Sequence, residues 1–161
     1  MSAPVLPGAT PRAIVIHPDP RLRATCAPVG AVTEEVRDLA RDMLATMYAA
    51  PGRGLAAPQV GVLKRLFVMD CTWREGAPDP LVCIDPMIRD ASEVMATREE
   101  GCLSIPDHPV RVTRPSEVTL EFTDLTGARR SRRLTGFAAA CAQHENDHLN
   151  GVLILDHEAR A

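Results

Sequence analysis

The spacing of apolar residues along the chain predicts two helices. Between Thr33 and Ala50, apolar residues recur three or four positions apart, which is typical of an amphipathic helix with one buried face. Thr33 is a suitable N-cap, and the two glutamates after it stand where the helix dipole favours negative charge. A second run, from Phe137 to Asn150, is rich in alanine and precedes Gly151, which can end a helix in the left-handed conformation.

Shorter runs predict strands. The continuous apolar runs at 66–70 and 81–85 are strand candidates, and Pro86 is expected to end the second of them. From 117 to 134 the chain alternates between apolar and polar residues, turns, and returns with four arginines, which predicts a hairpin with one solvated face. A last strand is expected at 152–155.

Composition narrows the class of protein. A chain of 161 residues suits a single domain, 1–161, with a loose lead-in at 1–13. The net charge of −3 does not indicate a nucleic-acid binder, and no apolar run approaches the ~20 residues of a membrane span. Five cysteines, an odd number, and no recognisable signal peptide favour a reducing, cytoplasmic setting, where cysteine serves metal binding, catalysis or packing.

Candidate chemistry centres on the H-E-x-x-H sequence of the second predicted helix. His144 and His148 are four residues apart and therefore share a helix face, from which two imidazoles can hold one metal ion. Phe137 and Cys141 recur on that face and are expected to form a pocket wall. Glu145 can reach a water in the site without being a ligand.

A catalytic site needs a third protein ligand and one open position. Downstream of His148 the candidates are Asp156, His157 and Glu158, which follow a predicted strand. Cys102, forty-two positions before His144, is the better choice because thiolate is a good ligand for zinc or ferrous iron. His17, His108 and His157 have no partner at ligand spacing and are not expected to bind metal.

Three stretches in this order resemble the three motifs of peptide deformylases: Gly-Arg-Gly-Leu-Ala-Ala-Pro-Gln-Val-Gly at 52–61, Glu-Gly-Cys-Leu-Ser at 100–104 and Gln-His-Glu-Asn-Asp-His-Leu-Asn-Gly at 143–151. The resemblance spans about 14–157. It implies an α+β fold with short antiparallel β-sheets wrapped around a central metal-ligand helix, and an N-terminal helix packed outside. It also implies a hydrolase that removes the formyl group from N-formylmethionyl peptides of new proteins and releases formate.

The same resemblance implies roles for single residues. One divalent metal ion is expected, typically Fe²⁺ with Zn²⁺ or Ni²⁺ as substitutes. The expected metal ligands are Cys102, His144 and His148. Glu145 is expected to move the proton of the attacking water to the leaving amine, while the Gln59 side chain and the Leu103 backbone N–H stabilise the developing oxyanion. The substrate-binding residues would be Gly54, Gly101, Phe137 and Cys141.

Some positions depart from the usual family pattern. Arg53 stands where an aliphatic residue is common, Asp107 replaces a frequent glycine, and Ala140 and Ala142 replace larger side chains, which could widen the methionine pocket. The expected partners are formylated nascent peptides met by a monomer in the bacterial cytosol or an organelle, without nucleic acid or membrane. Few residues follow His157, so a C-terminal ribosome-docking helix is not expected.

Two other functions are compatible with H-E-x-x-H. A small zinc endopeptidase would need a metal ligand after His148, and a non-catalytic domain would close the metal site with a fourth protein ligand. Gln59 and Glu145 argue against the structural site, which has no use for either. An ion pair between Glu100 and Arg114 is a further hypothesis, in which it steadies the segment that carries Cys102.

Overall fold

The structure, a computed structural model, describes residues 3–158. The helices are α1 (Glu34–Ala49), α2 (Gly136–Leu149) and the short α3 (Ile154–Glu158). The strands are β1 (Gly54–Ala56), β2 (Leu66–Met69), β3 (Leu81–Arg89), β4 (Met95–Cys102), β5 (Ile105–Pro115), β6 (Glu117–Thr123) and β7 (Arg129–Thr135). Within this described part, no helix combines the length and the apolar character needed to span a membrane.

Both predicted helices are confirmed to within one residue at each end. The Thr33 hydroxyl accepts a hydrogen bond from the Val36 N–H at 3.3 Å, so it caps α1 as the sequence indicated. Met43 and Met47 are fully buried on the apolar face of α1, which packs over β1 and β2. The methionines of this helix are therefore core residues.

The strands form two antiparallel sheets, one of five strands in the order β1-β2-β3-β6-β7 and one of two strands, β4-β5. Helix α2 contacts strands of both sheets, and its small residues Ala139 and Ala142 are fully buried against the larger one. This arrangement confirms the α+β fold with α2 as its central helix and α1 outside. The hairpin of β6 and β7 is also confirmed, with the arginines of β7 exposed.

Two expectations about elements are wrong, and one pair of strands was not predicted. β3 does not end at Pro86 but runs to Arg89, because its pairing with β6 shifts register between Ile84 and Met87 and Asp85 takes a positive φ of 47°. The strand expected at 152–155 is replaced by α3, whose Ile154 is buried beside β5. The long hairpin of β4 and β5 was not predicted as a pair of strands at all.

Candidate metal centre and active-site cleft

Two elements bring three ligand-type side chains together. Cys102 is the last residue of β4, and His144 and His148 lie one turn apart on α2. One ligand atom from each of the three lies within 4.8 Å of the other two, and the Cys102 Sγ is 3.4 Å from the His148 Nε2. Within 3–158, these residues form the one group of three or more His, Cys, Asp or Glu side chains with that geometry.

The donor set fits a divalent transition metal ion. The Glu100 carboxylate lies 2.9 Å from the His144 Nδ1, so this nitrogen is assigned as the one that carries the proton, which leaves the Nε2 lone pair for an ion. One thiolate and two imidazoles are ligands that suit Zn²⁺ and Fe²⁺. An ion held by these three residues would keep one coordination position open, as a catalytic site requires.

A buried ion-pair network lies behind His144. Arg114 donates two hydrogen bonds to Glu100, at 2.8 and 2.9 Å, and a third to Asp147 on α2 at 2.9 Å. Asp147 also lies 3.0 Å from the His157 Nε2. Burial opposes ionisation of Glu100, but the hydrogen bonds from Arg114 and His144 outweigh it and lower the pKa of Glu100 to about 2. The hypothesised Glu100–Arg114 ion pair is present and extends to α2.

Glu145 directly follows His144 on α2, and its side chain is buried. The residue is 4% exposed, and its Oε1 has no hydrogen-bond partner among the described residues. Burial raises the pKa of the Glu145 carboxyl to about 7, against the lowering effect of the charge on His144. A buried carboxylate with a free oxygen and such a pKa can accept a proton from a small polar ligand and return it.

The Gln59 side chain lies beside Cys102, at the edge of the Cys102, His144 and His148 cluster. Its Oε1 accepts a hydrogen bond from the Ala56 N–H at 3.0 Å, which turns the amide NH₂ toward Cys102. That Nε2 lies 3.0 Å from the Ser104 Oγ and 3.7 Å from the Cys102 Sγ. Leu103 and Ser104 form the two-residue turn between β4 and β5, so Leu103 directly follows the cysteine.

These residues open onto a cleft of about 710 Å³. Every residue predicted for catalysis or substrate binding lines it, together with Cys102 and His144, while His148 lies beneath. The residues predicted for catalysis or substrate binding are Gly54, Gln59, Gly101, Leu103, Phe137, Cys141 and Glu145. Ala140 also lines the cleft, whereas Ala142 packs in the core and cannot widen the pocket directly.

Two participants were missed by sequence reasoning. Ser104 fixes the Gln59 amide, and Asp147 joins the network behind His144. Ser104 lies in the stretch 100–104, two residues after Cys102, and Asp147 lies in the stretch 143–151, one residue before His148. Their closeness in sequence to predicted metal ligands was the feature that could have indicated a role. The three downstream residues considered as alternative ligands contact other side chains: Asp156 pairs with Arg23, His157 lies near Asp147, and Glu158 lies near His108.

Comparisons with known proteins agree on one family. The family model described as polypeptide deformylase matches residues 11–161. The chain is 48% identical to a peptide deformylase of Rhizobium meliloti over 92% of this chain and 85% of that protein. It is 51% identical to one of Afipia carboxidovorans over 91% and 85%. The crystal structure of a Synechococcus elongatus peptide deformylase in complex with actinonin superposes with a TM-score of 0.89 at 40% identity, covering 94% of this chain and 82% of that one.

Proposed function

Since the chain belongs to the peptide deformylase family and is a hydrolase that removes the formyl group from N-formylmethionyl peptides, we propose a role in this reaction for each residue of its cleft. The observation that carries the proposal is the meeting of Cys102, His144 and His148 beside the free carboxylate oxygen of Glu145. Formate and a peptide with a free amino terminus are the products.

Cys102, His144 and His148 would hold one divalent metal ion, Fe²⁺ in the cell with Zn²⁺ or Ni²⁺ as substitutes. Such an ion, when bound, supplies a Lewis acid that favours ionisation of water at neutral pH and polarises a carbonyl oxygen. The Glu100 carboxylate keeps His144 in the tautomer that offers its Nε2.

Glu145 is the general base and then the general acid. Its carboxylate accepts a proton from the water that attacks the formyl carbon, and it delivers that proton to the amine nitrogen as the C–N bond breaks. A pKa near 7 suits both halves of this transfer at neutral pH. Positioned proton transfer of this kind contributes about 10²- to 10⁴-fold to a rate.

Gln59 and Leu103 stabilise the charge that develops on the formyl oxygen. The Gln59 amide is fixed by the Ala56 N–H and the Ser104 hydroxyl, so its donor group needs little reorganisation in the transition state. The Leu103 N–H lies in the turn next to Cys102 and would be the second donor. Loss of one such donor typically raises the barrier by about 3 kcal/mol.

The peptide binds as an added strand. β1 is an edge strand that pairs only with β2, so the backbone at Gly54 has a free side on which an extended peptide can pair. Gly101 adds no side chain on the facing wall of the cleft. The methionine side chain would then lie against Phe137, Ala140 and Cys141.

The cellular substrate would be the formylated amino terminus of newly made proteins, met by a monomeric enzyme in the bacterial cytoplasm. Two observations support this setting: the relatives compared above are bacterial, and all five cysteines are free thiols.

The endopeptidase and the structural metal site each need a further metal ligand that the described residues do not place at the cluster. An endopeptidase would need a metal ligand after His148, but His157 and Glu158 are engaged with Asp147 and His108. A closed structural site would need a fourth ligand, and none joins the cluster within residues 3–158.

Anaerobic purification, metal analysis and measurement of formate release from a formyl-methionyl peptide test the proposal. Wild type should contain about one metal ion per chain and release formate, whereas an acetyl-methionyl peptide should remain intact. Glu145→Ala should keep the metal and lose at least about 10²-fold in kcat. Cys102→Ala should lose the metal.

Each rival function predicts a different result. Metal and peptidase activity retained in Cys102→Ala would support the endopeptidase. Equal inertness of wild type and Glu145→Ala, both with metal bound, would support a structural site.

A further inference from the structure

Four arginines of the described chain have side chains with neither an ion pair nor a hydrogen bond. Every other arginine within 3–158 contacts a carboxylate or a carbonyl oxygen, for example Arg12 with Asp42. The four exceptions are Arg53, Arg74, Arg98 and Arg111, and the first three of them line the active-site cleft. Unpaired guanidinium groups are therefore concentrated where the peptide binds.

Two of these arginines flank the beginning of α2. The guanidinium carbon of Arg53 lies 4.1 Å from the centre of the Phe137 ring, which holds the charge over an apolar wall. The Nη2 of Arg98 lies 3.8 Å from the position that a Cβ on Gly136 would take. Arg74 is exposed at the rim, 5.8 Å from the ring of Trp73.

The acidic residues that line the cleft form no ion pair with these three arginines. Glu100 is engaged by Arg114 and His144, and Glu145 is buried at the reaction centre. Glu99 also lines the cleft, but it forms no ion pair with Arg53, Arg74 or Arg98. Asp107 makes no ion pair with any of the three arginines, which leaves them available to an anion that enters the cleft.

We infer that Arg53 and Arg98, assisted by Arg74, select formylated peptides that carry a carboxylate side chain at the second or third residue. The inference rests on the proposed function, in which the peptide extends along β1 from Gly54. The methionine would lie against Phe137, and the guanidinium carbon of Arg53 is 4.1 Å from the centre of that ring. Successive residues of an extended peptide advance by about 3.3 Å, so the second and third residues follow within one or two such steps of this charge.

Matched peptides test the selection. Formyl-Met-Ala-Glu and formyl-Met-Asp peptides are compared with their Gln and Asn isosteres, each amidated at the carboxyl end so that the side chain carries the only carboxylate. At low salt the acidic peptide should have a kcat/KM about fivefold higher, which corresponds to about 1 kcal/mol for a largely exposed charge pair. The ratio should approach one at about 1 M salt, where charges are screened within about 3 Å.

Variants assign the effect to the cleft. Arg53→Gln and Arg98→Gln should each lower the acidic-to-neutral ratio, and the double variant should bring it to about one. Arg111→Gln removes an equally unpaired arginine that does not line the cleft, so its ratio should equal that of wild type.

Failure of the inference can be told from failure of the proposed function. A wild-type ratio of one, with formate released from all peptides, overturns the inference and leaves the deformylase activity intact. An effect of Arg111→Gln equal to that of Arg53→Gln also overturns it, because bulk charge would then explain the preference. Absence of formate release from every peptide overturns both.

Discussion

At the scale of single residues, Gly54 of β1 lies directly against the proposed general base, Glu145. A Cβ built on Gly54 would overlap the Glu145 Oε2 and lie 2.9 Å from the Cys141 Sγ. The glycine therefore serves two needs, because its backbone must face the peptide while its missing side chain leaves room for the carboxylate. No hydrogen bond holds the Glu145 Oε1, so packing at Gly54 contributes to the position of this side chain.

Gly54→Ala should lower kcat/KM for a formyl-methionyl peptide by about 10²-fold, because displacement of a catalytic group by about 1 Å has consequences of this size. Gly101→Ala is the control for the effect of a glycine-to-alanine change on stability. A Cβ at Gly101 meets nothing within 4 Å, so this variant should unfold at the wild-type temperature. Steady-state formate release and thermal unfolding measure both effects. Wild-type activity in Gly54→Ala would show that Glu145 is not placed by this contact.

At the scale of elements, the sequence correctly predicted the two long helices, whose pattern lies within a short continuous stretch of residues. The apolar stripe and Thr33 cap of α1, and the alanine-rich α2, were located to within one residue because helix signals are contained in a few consecutive turns. The β4–β5 hairpin was missed because β4 has few apolar residues, so its alternation of exposed and half-buried positions leaves no apolar–polar alternation in the sequence.

The other misassigned elements depend on tertiary contacts. Pro86 is tolerated within β3 because the register shift there relieves it of a place in the hydrogen-bond ladder. The residues near 154 are apolar enough for a strand, but their burial against β5 occurs in a helical turn. The ligand cluster was easier to predict because Cys102 and the two histidines are chemically distinctive, whereas Ser104 and Asp147 act only through neighbours.

Arg114 joins elements that are distant in sequence. It bridges Glu100 on β4 and Asp147 on α2, and its side chain is 7% exposed. Arg114→Ala should lower the free energy of unfolding by about 3–5 kcal/mol, because it leaves the largely buried Glu100 and the part-buried Asp147 without this partner. Metal affinity should fall by about 10- to 100-fold, since Glu100 would no longer be held against His144.

Urea unfolding and metal titration measure the two effects of Arg114→Ala. Arg130→Ala is the matched control, because Arg130 also pairs with an aspartate, Asp124, but its side chain is 59% exposed. That change should lower the free energy of unfolding by less than about 1 kcal/mol and leave metal affinity unchanged. If Arg114→Ala matched wild type in both measurements, the network would have no part in steadying the site.

At the scale of the whole molecule, the proposed ion would connect the two sheets through α2. Cys102 belongs to the two-stranded sheet, while the two histidines lie on the helix that packs against the five-stranded sheet. Separate groups of buried apolar residues lie on the two sides of this junction: one contains Phe67 and Leu120, the other Val112 and Leu153. An ion bound at the junction therefore stabilises the relative placement of the two sheets as well as the site.

Removal of the ion by a chelator should lower the unfolding temperature. A ligand that binds only the folded chain stabilises it by about 4 kcal/mol at a thousand times its Kd. For a chain of this size, that amount corresponds to roughly 10 °C. Cys102→Ala should unfold near the temperature of the chelated wild type and should not respond to chelator, because its site has already lost the ligand from β4. Calorimetry with and without chelator on both proteins measures the difference. A chelator response of equal size in Cys102→Ala would place the stabilising ion at a site that does not include this thiol.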